Sequence, residues 1–184
     1  MTTKFYTRNG DDGYTGLLGE GRVPKYHPVT EAVGALDEAT AALGVARAAC
    51  RLERSREVIL TVQRDLYALM SEAAATPANA ARFRKIDGER VAWLEGQTDQ
   101  LAGEVEMPRE FILPGDSPAG AALALGRTVV RRAERRLAQL QHSGVLENPH
   151  LLRYLNRLSS LCFVLELAEN QAWGIEATTL AKAG

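Results

Sequence analysis

Residues 117–140 read SPAGAALALGRTVVRRAERRLAQL, and their spacing predicts one long helix with two different faces. Ser117 and Pro118 form a helix start, because a serine hydroxyl accepts a free backbone N–H and proline is tolerated in the first turn. Apolar residues recur at helical spacing along one side, namely Leu123, Val130, Leu137 and Leu140. The other side carries five arginines between positions 127 and 136, interrupted by one acid.

This arginine face has two interpretations. Arg127, Arg131 and Glu134 stand at i, i+4 and i+7, so they share one face of the helix. Three more arginines flank that face: Arg132, Arg135 and Arg136. This stretch alone supports two interpretations about equally. One is a solvated basic surface with an Arg–Glu pair, and the other is an anion site. In the anion site, guanidinium groups bind polyphosphate and the carboxylate helps to hold a divalent cation.

Length and composition limit the class of protein. The chain has 184 residues, 46% of them hydrophobic, and a net charge of −1, which predicts a single domain over 1–184 with no general attraction to nucleic acid or to a membrane. Its two cysteines, Cys50 and Cys162, are far apart and are expected to be reduced thiols. No long apolar span, cleavable leader or zinc motif is visible, so we expect a cytoplasmic protein.

Apolar periodicity predicts four further helices. They are expected from Pro28 to about Cys50, over 53–75, around 91–101 and from Asn148 to about Asn170. Residues 78–84 fit either a loop or the start of a helix, and the tail 171–184 is expected to be frayed or lightly docked. No strand pattern is convincing. The sequence therefore predicts an all-α, five-helix up-and-down bundle.

Residues 1–27 are expected to form a glycine-rich loop without regular structure, since glycines stand at 10, 13, 16, 19 and 21. Repeated glycines let backbone N–H groups approach a phosphate, and Thr7, Asn9 and Thr15 add polar contacts. Alone, this segment is better interpreted as a flexible N-terminus. Together with the arginine-rich helix, it indicates a nucleoside triphosphate as ligand.

Three other positions have two interpretations each. Asp37 and Glu38 either face solvent or pair with an arginine of the arginine-rich helix. Asn156 is either a surface residue or an amide donor to a ligand at the end of the bundle. Phe111 precedes the Pro114–Gly115 turn, which either presents the ring rigidly or inserts it into the core.

Ten blocks of the chain form an ordered set of motifs: Tyr6–Gly13, Thr15–Leu17, Arg22–Lys25, Asp37–Glu38, Gln63–Leu66, Phe111–Gly115, Ser117–Pro118, Arg127–Thr128, Arg131–Arg135 and Tyr154–Ser159. In this order they resemble the PduO-type ATP:cob(I)alamin adenosyltransferases. The resemblance covers nearly the whole chain, and several blocks are distinctive. It implies a homotrimer of five-helix bundles with active sites between subunits.

The resemblance also implies site residues. ATP is expected to contact Thr7, Arg8, Asn9, Gly10, Asp11, Gly13, Thr15, Gly16, Lys25, Arg131, Arg132, Glu134, Arg135 and Asn156. Glu134 is the expected Mg²⁺ ligand, and Asp37 with Arg127 is expected to bridge adjacent subunits near the corrinoid. Phe111 matches the aromatic residue that crowds the lower face of cobalt. The residues implied in catalysis are Phe111, Arg127, Asp37 and Arg131.

The implied reaction transfers the 5′-deoxyadenosyl group of ATP to the Co(I) of cobalamin or another corrinoid, with Mg²⁺ and release of triphosphate. A flavoprotein reductase and a B12-dependent mutase or dehydratase are the implied partners. The sequence departs from the family pattern at Asn9, Thr40, Asp116, Ala124 and Ser160. These departures leave open a non-catalytic relative that binds ATP or corrinoid as a carrier, sensor or docking module; a purely structural bundle is the third possibility.

Overall fold

The computed structural model describes residues 6–182, so the first five residues of the expected loop and the last two of the tail lie outside it. Most described residues are helical. The elements are β1 (Tyr14–Gly16), β2 (Arg22–Pro24), α1 (Pro28–Ala49), α2 (Glu53–Ala73), α3 (Pro77–Phe83), α4 (Gly88–Ala102), α5 (Pro118–His142) and α6 (Pro149–Ala172).

The starts of the helices follow local sequence chemistry. The hydroxyl of Ser117 accepts the N–H of Gly120 at 2.9 Å, and the side chain of Asn148 accepts the N–H of His150 at 3.0 Å. Proline occupies the first turn after each cap, where its missing N–H would have no partner in any case. Both predicted caps are confirmed, and they set the starts of α5 and α6.

The long helices alternate in direction. Helix α1 packs against α2 and α5, α5 also packs against α6, and α6 packs against α4. Ion pairs show that α1 and α5 are antiparallel, because Arg132 meets Glu38 while Arg136, one turn later, meets Glu31. Fully buried leucines fill the space between the helices: Leu36, Leu66, Leu123, Leu137 and Leu155. Within residues 6–182, no helix combines the length and apolarity needed to span a bilayer.

The prediction of five helices and no strands needs two corrections. The described residues contain six helices, because α3 forms in the segment that the sequence left open. It has seven residues and none of them is buried, so it has no apolar seam to detect. The strands β1 and β2 form an antiparallel hairpin in which Thr15 faces Val23. Each strand has three residues, none of them buried, and three residues are too few to show an alternating pattern.

The described part of the tail is docked. The N–H of Leu113 donates to the carbonyl of Thr179, and the N–H of Ala181 donates to the carbonyl of Phe111, both at 2.7 Å. Ile112 and Leu180 form an antiparallel bridge between these two bonds. The tail therefore returns to the segment that connects α4 to α5.

Both cysteines are buried free thiols. Burial raises the pKa of Cys50 to about 12 and the pKa of Cys162 to about 12 as well. Both thiols therefore stay protonated at neutral pH and are not nucleophiles.

Candidate functional site

The glycine-rich segment is a compact hairpin held together by Arg22. The guanidinium of Arg22 donates to both carboxylate oxygens of Asp12 at 2.8 Å and to the carbonyl of Asn9 at 2.6 Å. These hydrogen bonds hold the pKa of Asp12 below its usual value. The sequence prediction missed this role of Arg22. The only sequence signal for it was that Arg22 and an acid, Asp12, stand at the two ends of the glycine-rich part of the predicted loop.

Lys25 folds back over the glycine backbone of this hairpin. Its N–H donates to the carbonyl of Gly13 at 2.9 Å, and a Cβ added at Gly10 would lie 3.0 Å from its Nζ. Glycine at position 10 therefore allows an ammonium group to lie against the main chain. Most expected ATP contacts of the hairpin are exposed, and Gly10 and Thr15 are half-buried. Arg8 has a φ of 64°, a left-handed conformation that is uncommon outside glycine.

The arginines of α5 divide into two groups. Arg132 forms an ion pair with Glu38, and Arg136 lies 3.5 Å from Glu31. An acid of the Asp37–Glu38 pair thus does meet the arginine-rich helix, through Glu38. Arg131 and Arg135 are exposed and form no hydrogen bond or ion pair with another residue of 6–182, so two guanidinium groups on this face remain available to an anion.

Glu134 and Asn156 join α5 to α6 beside those arginines. Nδ2 of Asn156 donates to Oε1 of Glu134 at 2.9 Å. Among the described residues there is no cluster of three or more His, Cys, Asp or Glu side chains that could hold a metal ion. A cation at Glu134 would therefore need most of its ligands from a bound substrate and water, which is the usual situation of Mg²⁺ on a nucleotide.

Phe111 stands at the edge of a cavity. Its residue is 88% exposed, so the interpretation of Phe111 as part of the core is wrong. The cavity has a volume of about 330 Å³. Its lining combines apolar and charged residues: Pro108, Arg109, Glu110, Phe111, Ile112, Pro114, Arg127, Phe163 and Glu166. The segment before the Pro114–Gly115 turn presents the ring outward, away from the core.

Glu166 is a buried acid in the wall of this cavity. It is 2% exposed, and burial raises the pKa of the Glu166 carboxyl from its usual 4.5 to about 7, with Arg127 acting in the opposite direction. Nε of Arg127 is itself buried and has no hydrogen-bond partner within residues 6–182. The sequence prediction missed Glu166, because an acid within an apolar helical run gives no sign of the cavity it faces.

Two expected groupings do not form within one chain. Asp37 is exposed on α1 and has no ion pair among the described residues, so its expected pair with Arg127 is not an intrachain contact. No hydrogen bond or ion pair between residues of 6–182 joins the β1–β2 hairpin to α5. A ligand that touches both must bridge an open gap or lie between two copies of the chain.

The family model of cobalamin adenosyltransferase matches residues 5–169, which is most of the chain. The chain belongs to the cobalamin adenosyltransferase family. One relative of this family member is the corrinoid adenosyltransferase PduO of Citrobacter freundii, which is 40% identical over 90% of this chain and 50% of that protein. The Bacillus subtilis (strain 168) corrinoid adenosyltransferase is 35% identical over 94% of this chain and 89% of that protein. The chain spans about half the length of the Citrobacter freundii and Salmonella typhimurium PduO proteins.

Solved structures extend the similarity to the fold. A Phe-to-His variant of the PduO-type ATP:corrinoid adenosyltransferase from Lactobacillus reuteri, complexed with cobalamin and ATP, has a TM-score of 0.87 at 29% identity. That match covers 97% of this chain and 97% of the other. An Arg-to-Lys variant complexed with ATP has a TM-score of 0.83 at 27% identity, covering 97% of this chain and 100% of the other. This family member therefore has the PduO-type fold over nearly its whole length.

Proposed function

We propose that this protein transfers the 5′-deoxyadenosyl group of ATP to the cobalt of a Co(I) corrinoid and releases triphosphate. One observation carries the proposal beyond family membership. Arg127, in the wall of the Phe111 cavity, and Arg131, exposed on the same helix, stand four residues apart. Four residues span about 6 Å along a helix axis, so a corrinoid at Arg127 and an ATP at Arg131 would lie close enough to react.

The phosphate side is assigned to the hairpin and α5. Lys25, the glycine backbone, Arg131 and Arg135 would neutralise the triphosphate, which leaves with several negative charges. Glu134 would hold Mg²⁺ through the carboxylate oxygen that Asn156 does not contact, and the cation would supply further neutralisation. In the transfer, the cobalt–carbon bond forms as the C5′–O bond breaks, and the electron pair of that bond leaves with the phosphate. No proton moves, so no general base is needed.

The corrinoid side is assigned to the cavity. The Phe111 ring would lie against the lower face of cobalt and exclude water and the corrinoid's own base. Co(II) without a lower ligand is easier to reduce, because that ligand donates into the orbital which the incoming electron must enter. The 88% exposure of Phe111 supports this role, since a ring outside the core can contact a ligand.

We also propose a homotrimer whose sites lie between subunits. Asp37, which is exposed, and the guanidinium of Arg127, which makes no hydrogen bond or ion pair within residues 6–182, would pair across that interface. Asp37→Asn and Arg127→Leu should each impair corrinoid use, because each change leaves a desolvated charge without its partner. Sedimentation measures the assembly directly, and an active monomer would refute the shared site.

The cellular setting is proposed on the same basis. We place the protein in the cytoplasm, with a flavoprotein reductase as electron donor and a B12-dependent mutase or dehydratase as consumer of the product. Reduction of Co(II) needs an electron donor and adenosylcobalamin needs an enzyme that uses it, and the resemblance to the PduO-type family implies these two kinds of partner.

The decisive experiment is an anaerobic assay with ATP, Mg²⁺ and chemically reduced cobalamin. The expected result is the absorption spectrum of the cobalt–carbon product, together with one triphosphate per turnover. ATP binding without product under fully reducing conditions would favour the non-catalytic carrier or sensor. Absence of ATP binding in calorimetry would favour a structural bundle.

A further inference from the structure

Phe111 has little side-chain packing to hold it in place. At 88% exposure its ring is almost entirely outside the core, and neighbouring Leu113 is 50% exposed. A ring that excludes a ligand from cobalt must nevertheless stand at a defined height above the cavity. A displacement of about 1 Å of a group in an active site can reduce the rate roughly 100-fold. Some other contact must therefore fix this segment.

The described tail supplies that contact through the backbone. Ala181 donates its N–H to the carbonyl of Phe111, and Leu113 donates its N–H to the carbonyl of Thr179, each at 2.7 Å. These two backbone bonds lie on either side of Ile112 and fix both the position and the rotation of residues 111–113. The tail acts as the partner strand of this segment, which pairs with no other part of residues 6–182.

Asp116 attaches the tail to a rigid element. Its two carboxylate oxygens accept the hydroxyl of Thr179 at 2.6 Å and the N–H of Thr179 at 3.0 Å. Asp116 directly precedes the N-cap Ser117, so the bond fastens the tail to the start of α5. Gly115, with a φ of 132°, makes the turn that brings Asp116 beside the tail.

The other end of the tail is also fixed. Trp173 caps α6 and its ring lies under the guanidinium of Arg51, 3.7 Å from the ring centre. The N–H of Ile175 donates to the carbonyl of Asn170 at 3.0 Å. Residues 176–181 therefore form a strap with one end at α6 and the other at α5 and Phe111.

We infer that Asp116 and the strap are positioning elements for Phe111, which set the height of its ring over the cavity. The inference rests on the proposed adenosyl transfer and assigns a use to a carboxylate at which the sequence departs from the family pattern. Asp116 contacts the strap and acts on the reaction only through Phe111.

The test breaks one bond at a time. Ala181→Pro removes the N–H that donates to the carbonyl of Phe111. Thr179→Val removes the hydroxyl that donates to the carboxylate of Asp116. Ala181→Ser is the matched control, because it changes the same position and keeps the N–H. Hydrogen exchange at the Leu113 amide reports the strap, and rates measured from Co(II) with a weak reductant and from preformed Co(I) report the ring.

In Ala181→Pro we expect faster exchange at Leu113, turnover from Co(II) lowered about tenfold or more, and turnover from Co(I) lowered less than threefold. The melting temperature and the ATP affinity should stay at the values of Ala181→Ser. Faster exchange with unchanged turnover from Co(II) would overturn the inference. Unchanged exchange would overturn it as well, and so would equal losses of turnover from Co(II) and from Co(I). Unaltered protein that transfers nothing even from Co(I) would contradict the proposed function itself, a result distinct from all of these.

Discussion

Asn156 donates a hydrogen bond of 2.9 Å to Oε1 of Glu134, from α6 to α5. The bond fixes the carboxylate and leaves its second oxygen for another ligand. Arg131 and Arg135 lie on the same helix within one turn of it, so a cation there would stand among groups that bind phosphate. We therefore propose that a cation at this position is held mainly by a bound nucleotide, with Glu134 as its one protein ligand.

Glu134→Gln should raise the Mg²⁺ concentration for half-maximal turnover by about tenfold or more, because a carboxylate ligand becomes a neutral amide. Turnover measured against Mg²⁺ at fixed ATP checks this. Glu57→Gln is the control, since Glu57 is an exposed acid of α2 without an ion pair in the described chain. An unchanged Mg²⁺ requirement would remove Glu134 from the metal site.

Arg131→Ala should weaken ATP binding by roughly 1.5–3 kcal/mol, the typical net value of a hydrogen bond to a charged group. Lys25→Ala should have a smaller effect, because a lysine acts as a point charge on a hairpin. Calorimetric titration with ATP measures both, and Arg64→Ala on the exposed side of α2 serves as control. Unchanged affinity in both variants would place the triphosphate elsewhere.

Phe111→Ala should leave ATP affinity and thermal stability nearly unchanged, since the ring lies outside the core. It should admit water or the corrinoid's base to Co(II), which EPR detects as a five-coordinate signal. Turnover from Co(II) with a weak reductant should fall sharply, and turnover from Co(I) should recover at least in part. Tyr67→Ala, which removes another exposed aromatic ring, should change none of these. Equal losses from both oxidation states would refute exclusion of the lower ligand as the role of Phe111.

Glu166→Gln should stabilise the protein above pH 7 by on the order of 1–3 kcal/mol. The folded state holds the pKa of Glu166 near 7 against 4.5 in its usual state, so the folded protein binds this proton more tightly than the unfolded chain. Stability contributed by the protonated acid is present below pH 4.5 and is lost as the pH rises through 7. The advantage of the variant should therefore disappear at pH 4.5, which denaturant titrations at several pH values measure; a gain independent of pH would contradict it.

Gly120→Ala should destabilise the fold by roughly 1–3 kcal/mol. The added Cβ would lie 2.2 Å from Oδ1 of Asn170, which accepts the hydroxyl of Ser117 at 2.6 Å and so joins the start of α5 to the end of α6. Gly96→Ala on α4 meets no atom within 4 Å and should be neutral or stabilising by up to about 1 kcal/mol. Thermal unfolding of both variants checks the contrast; equal stabilities would mean that the Ser117–Asn170 contact can shift without loss.

Much of the fold was predictable because its signals are local. The caps at Ser117 and Asn148 act within three residues of themselves, and each starts a helix where the sequence predicts it. The hairpin was not predictable in this way, because its order depends on the contact of Arg22 with Asp12 across ten positions. Strands of three residues, none of them buried, are too short to carry a periodicity.

The site was predictable in its residue types and less so in its surroundings. The pattern left Phe111 open between core and surface, and only the packing of the segment before α5 decides for the surface. Glu166 became visible only when the fold placed it in the cavity wall with Arg127. The expected Asp37–Arg127 pair remains a prediction, because it depends on contacts between copies of the chain.

The anchoring of the hairpin at Leu18 has a thermodynamic consequence for the nucleotide site that we propose there. The N–H of Leu18 donates to the carbonyl of Ala74 at 2.8 Å, and the N–H of Thr76 donates to the carbonyl of Leu18 at 3.2 Å, so the hairpin is attached to the end of α2. A loop that is ordered before its ligand arrives loses less conformational entropy on binding, at about 1–2 kcal/mol for each residue that need not be fixed. In the proposed site, the order of the empty hairpin would therefore add to the affinity for the nucleotide, beside the charges that contact its phosphates.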